Sequence, residues 1–201
     1  MLASGHVSSS QTLTEAPRRE LTPRQAAAVE RLTDAAVLEI RAKGYEGLTV
    51  RLVAARARVA PATAYNYFAS KDHLITEVFW RRLRALPEPA FAGKRSASAR
   101  VVEALRDVVL LVSKEPELAA ACTTAMLAPD PDVKRLRDRI GAQIRHRIKL
   151  ALGPNGDPSE LRALELAVSG AMLQAGMGHL RYADLPKRLE EFSKLLLRNG
   201  R

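Results

Sequence analysis

From Thr22 onward the apolar positions recur every three or four residues, and no stretch alternates with the period of a strand, so the pattern predicts helices throughout. Thr22 followed by Pro23 has the chemistry of a helix start. Leu32, Ala35, Ala36 and Ile40 then share one face of a helix that runs to about Lys43 and stops at Gly44. Thr49 is a candidate cap for a short helix over 50–57. Its Val53 and Ala54 point one way, which leaves Arg51, Arg56 and Arg58 for solvent or a phosphate. Pro61 opens a second short helix over 62–67 that offers Thr63, Tyr65, Asn66 and Tyr67 from an alanine-rich frame. Ser70 caps a longer helix over 70–86 that carries Phe79, Trp80 and Leu83 away from that end. Tyr45, Leu48, Val53, Val59, Phe68, Leu74 and Val78 complete the expected core of this half.

Pro87, Pro89 and Gly93 mark a boundary. Beyond it, 99–114 is apolar around much of its circumference, the signature of a helix buried on several sides. A short helix over 116–127 is broken by Pro129 and Pro131. The next, 132–152, has an inward stripe of Val133, Leu136, Ile140, Ile144 and Ile148. Arg135, Arg137, Arg139, Arg145 and Arg147 are expected to turn outward. The helix over 159–179 is thin at Ala163, Ala167, Gly170, Ala171 and Gly178, so that another helix can approach closely. A last helix over 185–198 sets Leu189, Phe192, Leu195 and Leu196 in register.

Two short helices joined by a tight turn, with polar and aromatic groups on the second, have the elements of a DNA-reading helix-turn-helix. The residues Gly44, Thr49, Val50, Arg51, Val53 and Ala54, followed by Val59, Thr63, Tyr65, Tyr67, Phe68, Ser70, Lys71 and Leu74, carry a resemblance to the TetR family of bacterial transcriptional repressors. The resemblance implies an all-α fold. An N-terminal three-helix helix-turn-helix DNA-binding domain is followed by a C-terminal helical ligand-binding and dimerisation domain. The expected division is an N-terminal arm over 1–21, the DNA-binding domain with its linking helix over 22–86, and the C-terminal domain over 87–201. One departure stands out: the family usually has glycine in the turn where this chain has Arg58. A left-handed backbone there costs an arginine on the order of 1 kcal/mol.

The family's roles carry over residue by residue. The amides that start the Val50 helix, with Thr49 and Arg51, are expected to hold phosphates, as are Arg58 and Lys71. Thr63 and Asn66 are expected at base edges, Tyr65 and Tyr67 at the DNA backbone, and Pro61 and Ala62 against thymine methyls. The last two helices resemble the family's dimerisation pair, which implies a homodimer through Ala163, Ala167, Gly170, Ala171, Gly178, Leu189, Phe192 and Leu196. Such a dimer would read a palindromic operator in double-stranded DNA. Candidate lining for a pocket is Phe79, Leu83, Leu105, Val109, Met126, Ile140, Ile144, Met172, Ala175 and His179, which suits a small apolar or amphipathic effector. The run over 116–132 is similar to actinobacterial regulators of sterol and fatty-acid breakdown, whose effectors are acyl-CoA thioesters. A TetR-type activator, a ligand-independent regulator and a non-specific nucleic-acid binder are the alternatives.

Composition bears on partners. The formal net charge is +10 and the pI about 10.2, which favours a polyanionic partner whose affinity falls steeply with salt. Residues 1–21 are rich in Ser and Thr, then basic at Arg18 and Arg19, and lack the apolar centre of a signal peptide. No apolar run approaches the roughly 20 residues that span a bilayer. The lone Cys122 suits a reducing bacterial cytoplasm, where a nucleoid-associated regulator works. His146 and His179 lack metal-ligand spacing. No nucleophile–base set or phosphate-cradling glycine loop appears, so no enzyme and no cofactor is expected.

Overall fold

The computed structural model describes residues 22–93 and 96–197, so the expected arm over 1–21 and Arg198 lie outside the described residues. The described residues form nine α-helices and a 3₁₀ turn at Tyr182–Asp184. In chain order the helices are α1 Pro23–Lys43, α2 Val50–Arg56, α3 Pro61–Tyr67, α4 Lys71–Ala85, α5 Ala97–Val109, α6 Pro116–Met126, α7 Pro131–Leu152, α8 Pro158–Gly176 and α9 Leu185–Leu197.

The starts follow from local chemistry. Thr22 and Gln25 form a reciprocal capping box on α1, and Gly44 ends that helix at φ 67°. Thr49, Ser70, Ser96, Asp130 and Asp157 each accept a backbone N–H at the start of α2, α4, α5, α7 and α8. Two helices stop earlier than expected. The α5 helix ends at Val109, and 110–114 closes as successive turns up to Glu115, which precedes a proline and takes an extended φ. The α8 helix ends at Gly176 because Gly178 turns left-handed, with His179 N–H donating back to the Gln174 carbonyl at 2.9 Å.

Two apolar cores result. The first gathers α1 to α4 and continues, across the boundary expected at 86–87, into Val108, Val112, the inner face of α6 and Ile140. The second joins α5, α7, α8 and α9 around Leu105, Ile148, Leu164 and Leu185. Because α4 packs on both α6 and α7, the helix that follows α3 is a wall of the C-terminal half. Arg147 corrects an expectation. It is 2% exposed, inside the molecule, and its guanidinium donates to the carbonyls of Leu86 (3.2 Å), Pro87 (2.6 Å) and Ala104 (3.5 Å). Desolvation lowers its pKa, and the three carbonyls give the buried charge partners that it would otherwise lack.

Candidate functional site

The helix-turn-helix is held by a few contacts. Val53 and Ala54 of α2 and Ala64 of α3 are buried in the first core. The turn between these helices closes with Arg58 N–H on Ala55 O at 3.2 Å and Val59 N–H on Ala54 O at 2.9 Å. That pattern wants a left-handed residue at the third-last position before Pro61, and Arg58 supplies it at φ 53°. Arg56, expected to be free, instead donates its Nε to Glu39 at 2.5 Å, and Lys43 lies 3.4 Å from the same carboxylate. These partners hold the buried Glu39 carboxyl below the ordinary glutamate range.

Of α3 only Ala64 is buried. Pro61, Ala62 and Asn66 are exposed, Tyr65 is 50% exposed, and Thr63 is half-buried. Tyr67 is half-buried and packs against the core. Thr49 is exposed and accepts from Leu52 N–H at 3.1 Å. Arg51 is exposed, whereas the Val50 side chain is buried, so that residue presents only its backbone to a ligand. Lys71 is engaged within the chain: its Nζ donates to Tyr45 O at 3.0 Å and stands 4.0 Å from the Tyr45 ring centroid. Tyr45 donates to Asp72, and burial with this bond pushes its phenol pKa up. The surface around α3 is therefore polar, aromatic and cationic, set on a small rigid core.

A cavity of about 350 Å³ lies in the C-terminal half. Phe79, Met126, Ile140, Ile144 and Met172 line it as expected from α4, α6, α7 and α8. Five expected residues lie elsewhere. Leu83 is in the first core; Leu105, Val109 and Ala175 are in the second, because α5 packs between α7 and α9. His179 is exposed, since α8 has already ended. Of the polar groups of the wall, Thr123, Ser169 and Tyr182 carried no sequence signal, because their neighbours come from distant helices, while Arg137, expected to turn outward, instead lies in the wall. Arg137 donates to the carbonyls of Met126 (2.6 Å) and Ala128 (2.9 Å) at the end of α6. Cys122 also lines the cavity; its burial pushes the thiol pKa up to about 12, so it is an inert wall residue.

Polar contacts at Glu115 and Asp130 join the half that carries α3 to the half that carries the cavity. Glu115, before α6, accepts from Arg41 of α1 at 2.8 Å and from Arg82 of α4 at 2.5 Å. Asp130, the cap of α7, accepts from Ser70, the cap of α4, at 2.6 Å. The Ser70 hydroxyl holds the Asp130 carboxyl below its usual range despite partial burial. The residues expected at an interface divide. Leu189 is buried within the subunit, Ala163, Ala167, Ala171, Phe192 and Leu196 are half-buried, and Gly170 and Gly178 are exposed. Among the described residues no helix is long and apolar enough to cross a membrane, and no three His, Cys, Asp or Glu side chains are grouped to hold a metal.

The family model "Bacterial regulatory proteins, tetR family" matches residues 32–78, from α1 to α4. The chain is 47% identical over 176 residues to an uncharacterised HTH-type transcriptional regulator of Mycobacterium tuberculosis, covering 87% of this chain and 82% of the relative. It is 27% identical over 179 residues to the HTH-type transcriptional repressor KstR of Rhodococcus jostii, covering 85% and 83%. A TetR transcriptional regulator from Rhodococcus sp. RHA1 superimposes with a TM-score of 0.70 at 24% identity, over 88% of this chain and 98% of that one.

Proposed function

The chain belongs to the TetR family of bacterial transcriptional regulators, a non-enzymatic family, and from that premise we propose that it is a homodimeric repressor of a palindromic operator, released by a small apolar or amphipathic effector. The observation that carries the reading is α3, which buries Ala64 alone and turns Asn66 and Tyr65 to solvent beside Arg51 and Arg58. A helix anchored by one alanine has its polar side free to enter a major groove. Thr63 and Asn66 are assigned to base edges, and Pro61 and Ala62 to thymine methyls. Tyr65 and Tyr67 are assigned to the DNA backbone, and Arg51, Arg58, Lys71 and the α2 amides to phosphates.

The effector would occupy the cavity among Phe79, Met126, Ile140, Ile144 and Met172. Its wall is apolar apart from Thr123, Ser169, Tyr182 and the Arg137 guanidinium, whose Nη1 already donates to two carbonyls. An apolar body therefore fits most of the lining, and a charged group would be desolvated without compensation anywhere but at Arg137. An acyl-CoA meets this rule if its chain is inside and its phosphates remain outside. Binding that favours a different spacing of two α3 helices would lower operator affinity by population shift.

The test is selection of genomic fragments by the purified protein at moderate ionic strength. Enrichment of one inverted repeat, with half-sites about one helical turn apart, is the expected result. Uniform recovery of fragments, with no sequence shared among them, would mean that the protein binds nucleic acid non-specifically.

A further inference from the structure

We propose that Asp130 is the positioning residue through which occupancy of the cavity acts on α3. This rests on reading the cavity as an effector site. One carboxylate serves two helices here. Its Oδ1 accepts from the N–H groups of Asp132 (2.7 Å) and Val133 (3.4 Å) and so starts α7. Its Oδ2 accepts from the Ser70 hydroxyl at 2.6 Å. Ser70 in turn accepts from His73 N–H at 3.0 Å and starts α4, two residues beyond Phe68, where α3 is capped. A charge-assisted bond of this length is among the stronger polar contacts between neutral donors and carboxylates.

The other side of the same segment faces the cavity. Met126, Leu127 and Arg137 all line it, and Arg137 grips the carbonyls of Met126 and Ala128. Leu127 is 67% exposed, so this corner is also the mouth. Between the mouth and Ser70 lie only Ala128, Pro129 and Asp130. Prolines on both sides of Asp130 fix two of the local φ angles, so a push at the mouth is carried along the segment with little absorbed in it. An occupant that displaces Leu127 or Arg137 therefore draws Asp130 from Ser70. The cap of α4 loosens, and with it the seat of α3.

Amide hydrogen exchange on the full chain tests this without DNA and without an effector. Asp130→Ser keeps a good cap for α7 but is too short to reach Ser70; Ser70→Thr keeps both hydroxyl bonds. Asp130→Ser is expected to raise exchange of the α3 amides on the order of tenfold while α9 is unchanged, and Ser70→Thr to stay near wild type. Gly141 lines the cavity, is itself exposed, and an added Cβ there meets nothing within 4 Å, so Gly141→Leu adds apolar bulk at the cavity wall without a backbone clash. It should loosen α3 in the Asp130 background and add nothing in the Asp130→Ser background. The proposal is overturned if Asp130→Ser leaves α3 unchanged, or if exchange rises equally in α3 and α9. It is also overturned if Gly141→Leu has no effect on α3 or acts equally in both backgrounds. A failure of the repressor reading shows separately, in the genomic selection.

Discussion

Arg58 holds a left-handed backbone at φ 53°, where a side chain with a Cβ is strained. Arg58→Gly removes that strain and is expected to stabilise the protein by about 1 kcal/mol, a rise in Tm of roughly 2–4 °C for a chain of this size. If the guanidinium meets a phosphate, the same variant also lowers the salt slope of DNA binding by about one unit. A fall in Tm would show that the side chain stabilises the turn by more than its backbone costs. The exposed Asn66 and the half-buried Lys71 separate in the same way. Asn66→Ala is expected to relax preference at one base position, by about 1–3 kcal/mol, while Lys71→Ala weakens specific and random DNA alike. Competition between the two kinds of DNA measures both; equal losses for both variants would take base reading away from Asn66. Arg147 shows how residue type misleads when it is set against position. Seven residues beyond Ile140 and one before Ile148, it lies on the inward stripe of α7, yet its charge suggested the outer face. The spacing was the better guide, because carbonyls at the end of α4 and in α5 were available to receive it.

At the scale of helices, the starts at Thr22 with Pro23, Thr49, Pro61 and Ser70 were legible because each is written within four residues, whereas Pro131 read as the break of the helix before it and hid the cap at Asp130. The ends of α5 and α8 were overrun, since apolar periodicity continues past them into turns that still pack. Which helix meets which was not legible, because that depends on residues far apart in sequence. Gly176 illustrates it. A Cβ there would stand 1.9 Å from Thr123 Oγ1 and 2.6 Å from Thr123 Cβ, so α8 passes tight against α6. Rotating the threonine cannot move its Cβ. Gly176→Ala is therefore expected to cost about 1–3 kcal/mol, and to recover in part with Thr123→Gly, as read by urea unfolding. Helix-to-helix ion pairs give a pH dependence. Arg82 and Arg41 lower the pKa of Glu115, and Arg56 lowers that of Glu39, each from an ordinary 4.5. A carboxylate with a depressed folded pKa stabilises fully above its unfolded value and loses that contribution as pH falls through the folded one. Stability is thus expected to be level above about pH 5 and to decline below the ordinary glutamate range. Glu115→Gln should flatten part of the decline, and an unchanged acid limb in that variant would assign the loss to other groups.

Among the described residues one apolar face of α8 and α9 stands exposed, and the proposed dimer follows from it. On α8, Leu166 (75% exposed), Leu173 and Met177 (54%) stand on one stripe at helical spacing, with the bare Gly170 between them. Leu195 of α9 is 68% exposed beside the half-buried Phe192 and Leu196. An apolar stripe of this kind is costly in water, and a glycine at its middle lets a second helix come close. A two-fold axis through this face would bring the same stripe from each subunit together and set two α3 helices at a fixed distance. A seven-residue helix reads few base pairs alone, so the fixed distance is what converts weak half-site contacts into operator affinity. Leu166→Glu with Leu173→Glu places like charges across the axis; neither leucine belongs to a core, and Leu173 also lines the cavity. The double variant is expected to keep the helical content of the wild type, to sediment as a monomer, and to bind a recovered palindrome with about half the wild-type salt slope and a much weaker Kd. A wild-type chain that is already monomeric while it binds the palindrome would sever the link between this face and DNA recognition. So would a double variant that still pairs, since neither leucine would then lie at the contact.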